Sequence, residues 1–125
     1  MTKIAIVTGA SRGFGRGVAH VLAAEADYRI YATARTKLAL DELQEDVAKS
    51  VGAGEIVPIV LDQNDDDAVT RFVDKVTASE QKIDLLVNSA YAGLIAMTPH
   101  FGKPFWERPI SVYDASMNVG VRSSY

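Results

Sequence analysis

The sequence contains no cysteine and only two histidines, His20 and His100. A disulfide framework and a thiolate metal site are therefore excluded, and two isolated histidines do not make a zinc centre. No window approaches the ~18 apolar residues of a membrane span, and the first residues lack the long apolar region of a signal peptide. We expect no bound metal, no membrane span and a cytoplasmic location.

The sequence also lacks an excess of positive charge. Its 13 Lys and Arg residues stand against 16 Asp and Glu, a formal net charge of −3. Without a basic surface, nucleic acid is not an expected partner. At 125 residues and 48% hydrophobic composition, the chain has the size of one domain with a core, and we predict a single domain over residues 1–125.

Four short apolar runs predict parallel strands that are covered on both faces. They are residues 3–8, 28–34, 55–61 and 83–88. The segments between them have helical spacing of apolar residues, namely Phe14, Val18, Val21 and Leu22, then Leu40, Leu43 and Val47, then Val69, Phe72, Val73 and Val76. This alternation predicts an α/β fold with a doubly wound parallel sheet of the Rossmann type.

The edges of this sheet can be predicted as well. Pro58 cannot donate to a ladder, which marks the third strand as an edge and agrees with the strand order 3-2-1-4. The fourth strand then forms the other edge, although its apolar sequence has no proline to block pairing. We therefore expect an incomplete sheet, with the chain truncated at its C-terminal side.

A last helix is predicted from Ser111, where Ser-Val-Tyr-Asp resembles a capping box. Its apolar stripe would consist of Ile110, Tyr113, Met117 and Val121.

Glycines are concentrated just after the first strand. Gly9 would end the strand in a tight turn, Gly13 would let the backbone approach a pyrophosphate, and Gly15 would let the helix lie close to the sheet. The spacing differs from the G-x-G-x-x-G fingerprint and lacks the lysine of a P-loop. A glycine-rich turn that binds nothing remains the alternative.

Polar residues follow the other strands, where ligands bind in open parallel sheets. They are Arg35, Asp62 and Asn88. An acidic residue at the position of Arg35 would indicate NAD, whereas arginine suits the 2′-phosphate of NADP, with Arg12 as a second cation. A solvated charge is the alternative for Arg35. Asn118, inside the last helix, either faces the cofactor crevice or serves the local helix geometry.

Four motifs together resemble the short-chain dehydrogenase/reductase family. They are TGASRGFG at residues 8–15, LD at 61–62, NSAYAG at 88–93 and NVG at 118–120. The resemblance implies an oxidoreductase that binds NADP(H) rather than NAD(H) and acts on a small carbonyl or alcohol substrate. It assigns the cofactor to Gly9, Ser11, Arg12, Gly13, Phe14, Gly15, Arg35, Asp62, Asn88 and Ala90, and gives Asn118 a place in the proton relay.

The chain departs from the family pattern in several places. Phe14 replaces the usual isoleucine, Ser89 replaces an asparagine, and Tyr91 and Ala92 intervene before Gly93. The Tyr-x-x-x-Lys pair that the family uses as general acid and base is missing from the sequence. We therefore expect the cofactor-binding portion of a reductase, inactive alone. The alternative is a non-catalytic nucleotide-binding or interaction module that pairs with a partner or forms a homo-oligomer.

Overall fold

The computed structural model describes residues 1–52 and 54–125, in which strands alternate with helices from the first residues onward. The first six elements are β1 (Lys3–Val7), α1 (Gly13–Glu25), β2 (Tyr28–Ala34), α2 (Lys37–Ala48), β3 (Glu55–Val60) and α3 (Asp66–Glu80). They are followed by β4 (Leu85–Val87), α4 (Gly93–Met97) and α5 (Ile110–Gly120). Short 3-10 turns cover Thr98–His100, Phe105–Glu107 and Arg122–Ser124.

The sheet is parallel throughout and has the order β3-β2-β1-β4, which confirms the predicted topology. Pro58 lies in β3 opposite Ala32 of β2, so its missing N–H falls on an edge strand. At the opposite edge, β4 pairs with β1 over three residues only. The strand begins late because Asp84 uses its carboxylate to accept the Ile4 N–H at 2.8 Å. This hydrogen bond lowers the pKa of Asp84.

The two faces of the sheet bury separate apolar clusters. One face is covered by α1 and α2, whose buried residues include Ala19, Ala23, Leu40 and Leu43. The other face packs against α3. Its buried residues are Ile4, Ile6, Leu61, Phe72 and Val76. Strands covered on both faces explain the nearly continuous apolar runs from which the sheet was predicted.

The predicted buried face of α1 is wrong at two of its four residues, whereas Leu22 is partly buried and packs against the core. Phe14 is 77% exposed and Val21 is 49% exposed, whereas Gly15, Ala19 and Ala23 are buried. These small residues recur every four positions and so share one face, which lets the helix approach the sheet closely. The α2 prediction is confirmed, because Leu40, Leu43 and Val47 are all buried.

Helix α3 follows its prediction with one exception. Asp65 is the N-cap, and its carboxylate accepts the Ala68 N–H at 3.0 Å, while Asp66 and Asp67 occupy the first turn. Phe72 and Val76 are buried, but Val73 is 40% exposed and faces the open side of β4.

Helix α5 begins at Ile110 instead of the predicted Ser111. Its N-cap is Pro109, and no side chain caps it, so the predicted capping box does not form. Proline fixes φ but carries no side-chain acceptor, and it is tolerated at helix starts. The predicted apolar stripe is exposed along its length, at Ile110, Tyr113, Met117 and Val121.

No helix in the described ranges is both long and apolar enough to cross a bilayer.

A polar cluster ties the C-terminal end of α3 to the sheet. Glu80 accepts hydrogen bonds from the Tyr31 hydroxyl at 2.6 Å and from Arg29 Nη1 at 3.0 Å. The first of these hydrogen bonds, followed by the second, lowers the pKa of Glu80. Burial together with the bond to Glu80 raises the pKa of Tyr31 to about 12.

We predict that Glu80→Gln lowers the melting temperature at neutral pH and that the loss diminishes in acid. A carboxylate whose pKa is depressed by folding stabilises the native state above its unfolded pKa of 4.5, and that contribution disappears as the pH falls through the native pKa. Thermal unfolding between neutral pH and pH ~3 measures the difference. Glu42→Gln, an exposed position on α2, is the matched control. A pH-independent difference for Glu80→Gln would contradict the assignment.

Candidate functional site

The turn between β1 and α1 has a backbone that requires glycine. Gly9 and Gly13 have φ values of +63° and +60°, which side chains other than glycine rarely adopt. An added Cβ at Gly9 would also lie 2.8 Å from Ala90 Cα. At Gly13, by contrast, nothing lies within 4 Å of an added Cβ. Gly9 therefore packs against the loop after β4, whereas Gly13 leaves space beside the backbone of the turn.

Gly15 is the third glycine of this turn, and its surroundings leave no room for a side chain. An added Cβ would lie 2.3 Å from the Gly9 carbonyl oxygen and 3.0 Å from Ser89 Oγ. The first turn of α1 therefore rests directly on the turn after β1 and on the loop after β4. These contacts place the helix N-terminus, with its positive dipole end, at the carboxyl edge of the sheet.

Thr8 holds the loop after β4 in place. Its Oγ1 accepts the N–H groups of Ser89 at 3.0 Å and Ala90 at 3.1 Å, and its side chain is buried. The backbone N–H of Thr8 also donates to the Val87 carbonyl at 3.0 Å. The sequence places Thr8 in the glycine motif but does not reveal this role, because the groups that Thr8 bonds are about 80 residues away.

The N-terminus of α1 has no side-chain cap and no acidic residue in its own first turn. The N-cap residue, Arg12, is extended. Phe14 stands exposed at this end. Unpaired N–H groups at a helix start favour an anion such as a phosphate.

Arg35 and Asp62 follow the carboxyl ends of β2 and β3. The strands stay paired up to Ala34 and Val60, and the Ala34 carbonyl accepts the Leu61 N–H at 2.9 Å. Arg35 and Asp62 therefore leave the same end of the sheet, one and two residues beyond the last pair. Both are exposed. Asp62 also accepts the Asn64 N–H at 2.9 Å, which closes a short turn before α3.

The structure thus brings most predicted site residues to one edge of the sheet. Gly9, Gly15 and Ala90 are in direct juxtaposition, and Asn88 is exposed beside them in the same loop. Ser11, Arg12 and Gly13 continue the turn, while Arg35 and Asp62 lie at the ends of the two outer strands. The crevice between β1 and β4, where the strand order reverses, is the expected ligand position in such sheets.

Asn118 is set apart from this group. It is exposed on α5 and lines a polar pocket with Asn64, Asp66 and Arg122. Arg122 forms an ion pair with Asp66 at the start of α3. Among the described residues the Asn118 side chain makes no hydrogen bond, either to the β1–α1 turn or to the backbone of α5. No group of three or more potential metal ligands occurs in the described ranges either.

A parallel sheet of this order, with a glycine turn at its switch point, defines the class of Rossmann-type folds. The family model for short chain dehydrogenases matches residues 3–124. The chain therefore belongs to the short-chain dehydrogenase/reductase family of oxidoreductases.

Individual relatives agree with this membership. The chain is 39% identical over 124 residues to dehydrogenase/reductase SDR family member 1 of Homo sapiens, which covers 98% of this chain and 39% of the relative. It is 34% identical over 110 residues to 2-dehydro-3-deoxy-D-gluconate 5-dehydrogenase of Pseudoalteromonas atlantica, covering 88% of this chain and 42% of the relative. The chain thus spans about two fifths of the length of these relatives.

The fold is shared with solved structures. A metagenomic short-chain oxidoreductase in complex with NADP superposes with a TM-score of 0.83 at 30% identity. The match covers 98% of this chain and 52% of that structure. The similarity in fold therefore extends over nearly the whole chain.

We predict that Gly15→Ala destabilises the protein, whereas Gly17→Ala does not. The added methyl group at Gly15 meets the Gly9 carbonyl, and overpacking of this kind costs about 1–3 kcal/mol. At Gly17, also on α1, a Cβ meets open space, and alanine in a helix is favoured by up to about 1 kcal/mol. Denaturant unfolding measures both variants. Equal stability of the two would contradict the close approach at Gly15.

Proposed function

We propose that this chain binds NADP(H) along the carboxyl edge of its sheet and forms the cofactor-binding portion of a short-chain oxidoreductase. The observation that carries the proposal is the pair of glycines with positive φ. Gly9 packs against Ala90, and Gly13, at the start of α1, has no atom within 4 Å of the position of a Cβ. The arrangement fits a pyrophosphate, because it combines an uncrowded backbone with free N–H donors and a positive dipole end. In this proposal Gly9, Ser11, Arg12, Gly13, Phe14 and Gly15 line the phosphates and the adjoining ribose.

The charges around the site support NADP(H) over NAD(H). Arg35 is exposed at the end of β2, and its neighbours Ala34 and Thr36 carry no negative charge that would bind a free 2′-hydroxyl. Arg12, in the turn after β1, is a further exposed cation at this edge. A guanidinium group binds a phosphate through paired, charge-assisted hydrogen bonds. The structural neighbour solved with NADP agrees with this choice.

The adenosine half of the cofactor would lie over the ends of β3 and β4. Asp62 is exposed and would accept the adenine amino group, while Asn88 and Ala90 would adjoin the ribose. When bound, the nicotinamide supplies the hydride exchanged with the carbon of a carbonyl or alcohol substrate. This chain contributes positioning of the dinucleotide, and Asn118 is proposed to serve the proton relay of the complete reductase.

We predict that Arg35→Ala weakens NADPH binding about tenfold and leaves NADH binding unchanged. A hydrogen bond to a charged group contributes about 1.5 kcal/mol, which corresponds to roughly tenfold in affinity. Fluorescence titration with each cofactor measures both dissociation constants. Arg71→Ala, an exposed arginine on α3, controls for the general effect of removing a positive charge. An equal loss for both cofactors would count against recognition of the 2′-phosphate.

We also predict that the purified 125-residue chain binds NADPH without oxidising it in the presence of aldehydes and ketones. The reason is the missing Tyr-x-x-x-Lys pair, without which no side chain of this sequence supplies the family's general acid. Loss of NADPH absorbance over a panel of carbonyl compounds measures the rate. Sustained turnover above a protein-free blank would contradict the prediction.

A non-catalytic interaction module is the second candidate, and the open edge of the sheet favours it. Leu86 of β4 is 53% exposed, and β4 pairs only with β1 among the described strands. Unpaired strand edges are sites where partner chains add. A tight homodimer that binds nucleotide would favour this candidate, and analytical ultracentrifugation at micromolar concentration distinguishes it from a monomer.

A further inference from the structure

Tyr91 lies in the part of the sequence where this chain departs from the family pattern, directly after the loop that contacts Gly9. Its ring packs on the backbones of two glycines from different elements. An added Cβ at Gly93 would lie 2.2 Å from the Tyr91 hydroxyl oxygen, and one at Gly120 would lie 2.9 Å from Tyr91 Cδ2. The side chain therefore fits between α4 and the last turn of α5 because both positions are bare.

The hydroxyl group of Tyr91 adds a specific bond to α5. It lies 3.2 Å from Ser116 Oγ, and Ser116 Oγ already donates its proton to the Val112 carbonyl at 2.9 Å. Tyr91 must then be the donor in this pair, since a serine hydroxyl has only one proton. Ser116 and Gly120 are four residues apart and share one face of α5, so ring and hydroxyl contact the same face.

The same segment is fixed at its other end by the candidate cofactor site. Ala90, which precedes Tyr91, donates its N–H to Thr8 Oγ1 at 3.1 Å and lies against Gly9. Residues 89–91 thus touch the glycine turn on one side and α5 on the other. Asn118 lies on α5 between Ser116 and Gly120 and projects from a different face of the helix.

We propose that Tyr91 is a positioning residue that links the dinucleotide site to α5 and thereby sets the place of Asn118. This inference rests on the proposed function. A ligand against Gly9 and Ala90 restricts the loop, and Tyr91 passes this restriction to α5 through Ser116 and Gly120. The Tyr91 hydroxyl bonds to Ser116 and not to Asn118, so the proposed link acts through the helix.

Hydrogen exchange with and without NADPH tests the link on the intact chain. In the wild-type protein NADPH should slow amide exchange both at residues 9–16 and at residues 116–121. In Tyr91→Ala the slowing at 9–16 should persist and the slowing at 116–121 should be lost. Tyr113→Ala removes an exposed tyrosine from α5, the helix that contains residues 116–120, and should retain both effects.

Tyr91→Phe separates the hydroxyl from the ring. It should reduce the NADPH effect at 116–121, and adding Ser116→Ala should cause no further reduction of that effect. The Tyr91–Ser116 bond is then already absent, and the bond from Ser116 to Val112 that Ser116→Ala also removes lies within α5 and does not connect it to residues 89–91. Tyr91→Phe also decides the matter if Tyr91→Ala does not fold. An unchanged NADPH effect at 116–121 in Tyr91→Ala or Tyr91→Phe would overturn the proposal.

Failure of the proposed function gives a different result. If NADPH slows no exchange at residues 9–16 of the wild type, the cofactor assignment is wrong. The contact between Tyr91 and α5 is then judged without ligand. Faster exchange at 116–121 in Tyr91→Ala than in Tyr113→Ala would support it, and equal rates would overturn it.

Discussion

The absence of any space for a side chain between the turn after β1 and the loop after β4 is the constraint on which the site depends. Gly9 lies against Ala90, and Gly15 lies against the Gly9 carbonyl, so three backbones meet without intervening atoms. The buried Thr8 hydroxyl holds this arrangement by accepting two N–H groups of the loop. Because the contact joins the two strands at which the chain reverses its winding direction, it also defines the crevice between them.

The topology could be predicted from the sequence because strands buried on both faces leave an unmistakable apolar pattern. Pro58 added the identity of one edge, since a missing N–H is tolerated there. The buried face of α1 could not be predicted from the spacing of large apolar residues, because small residues form it. Gly15, Ala19 and Ala23 are buried through close approach, which depends on what the helix packs against. Likewise, the start of α5 was set by Pro109 and not by a side-chain cap.

The candidate site was predictable to the extent that it follows from strand ends. In a parallel sheet every strand delivers its last residue to the same edge, which accounts for Arg35, Asp62 and Asn88. The contacts of Thr8 with residues 89–90 and of Tyr91 with Ser116 could not be predicted in this way. They join side chains or backbones separated by 25 or more residues, and no local spacing signals such a contact.

The two edge strands of the sheet differ in how well they can pair with a further strand. At β3, Pro58 interrupts the row of backbone donors, so a strand added there would lack part of its ladder. At β4 no proline interrupts the row, and the apolar side chains of Leu86 and Val73 flank it. Any strand that enlarges this sheet, whether from the same polypeptide or from another, is therefore directed to the side of the candidate site and away from Pro58.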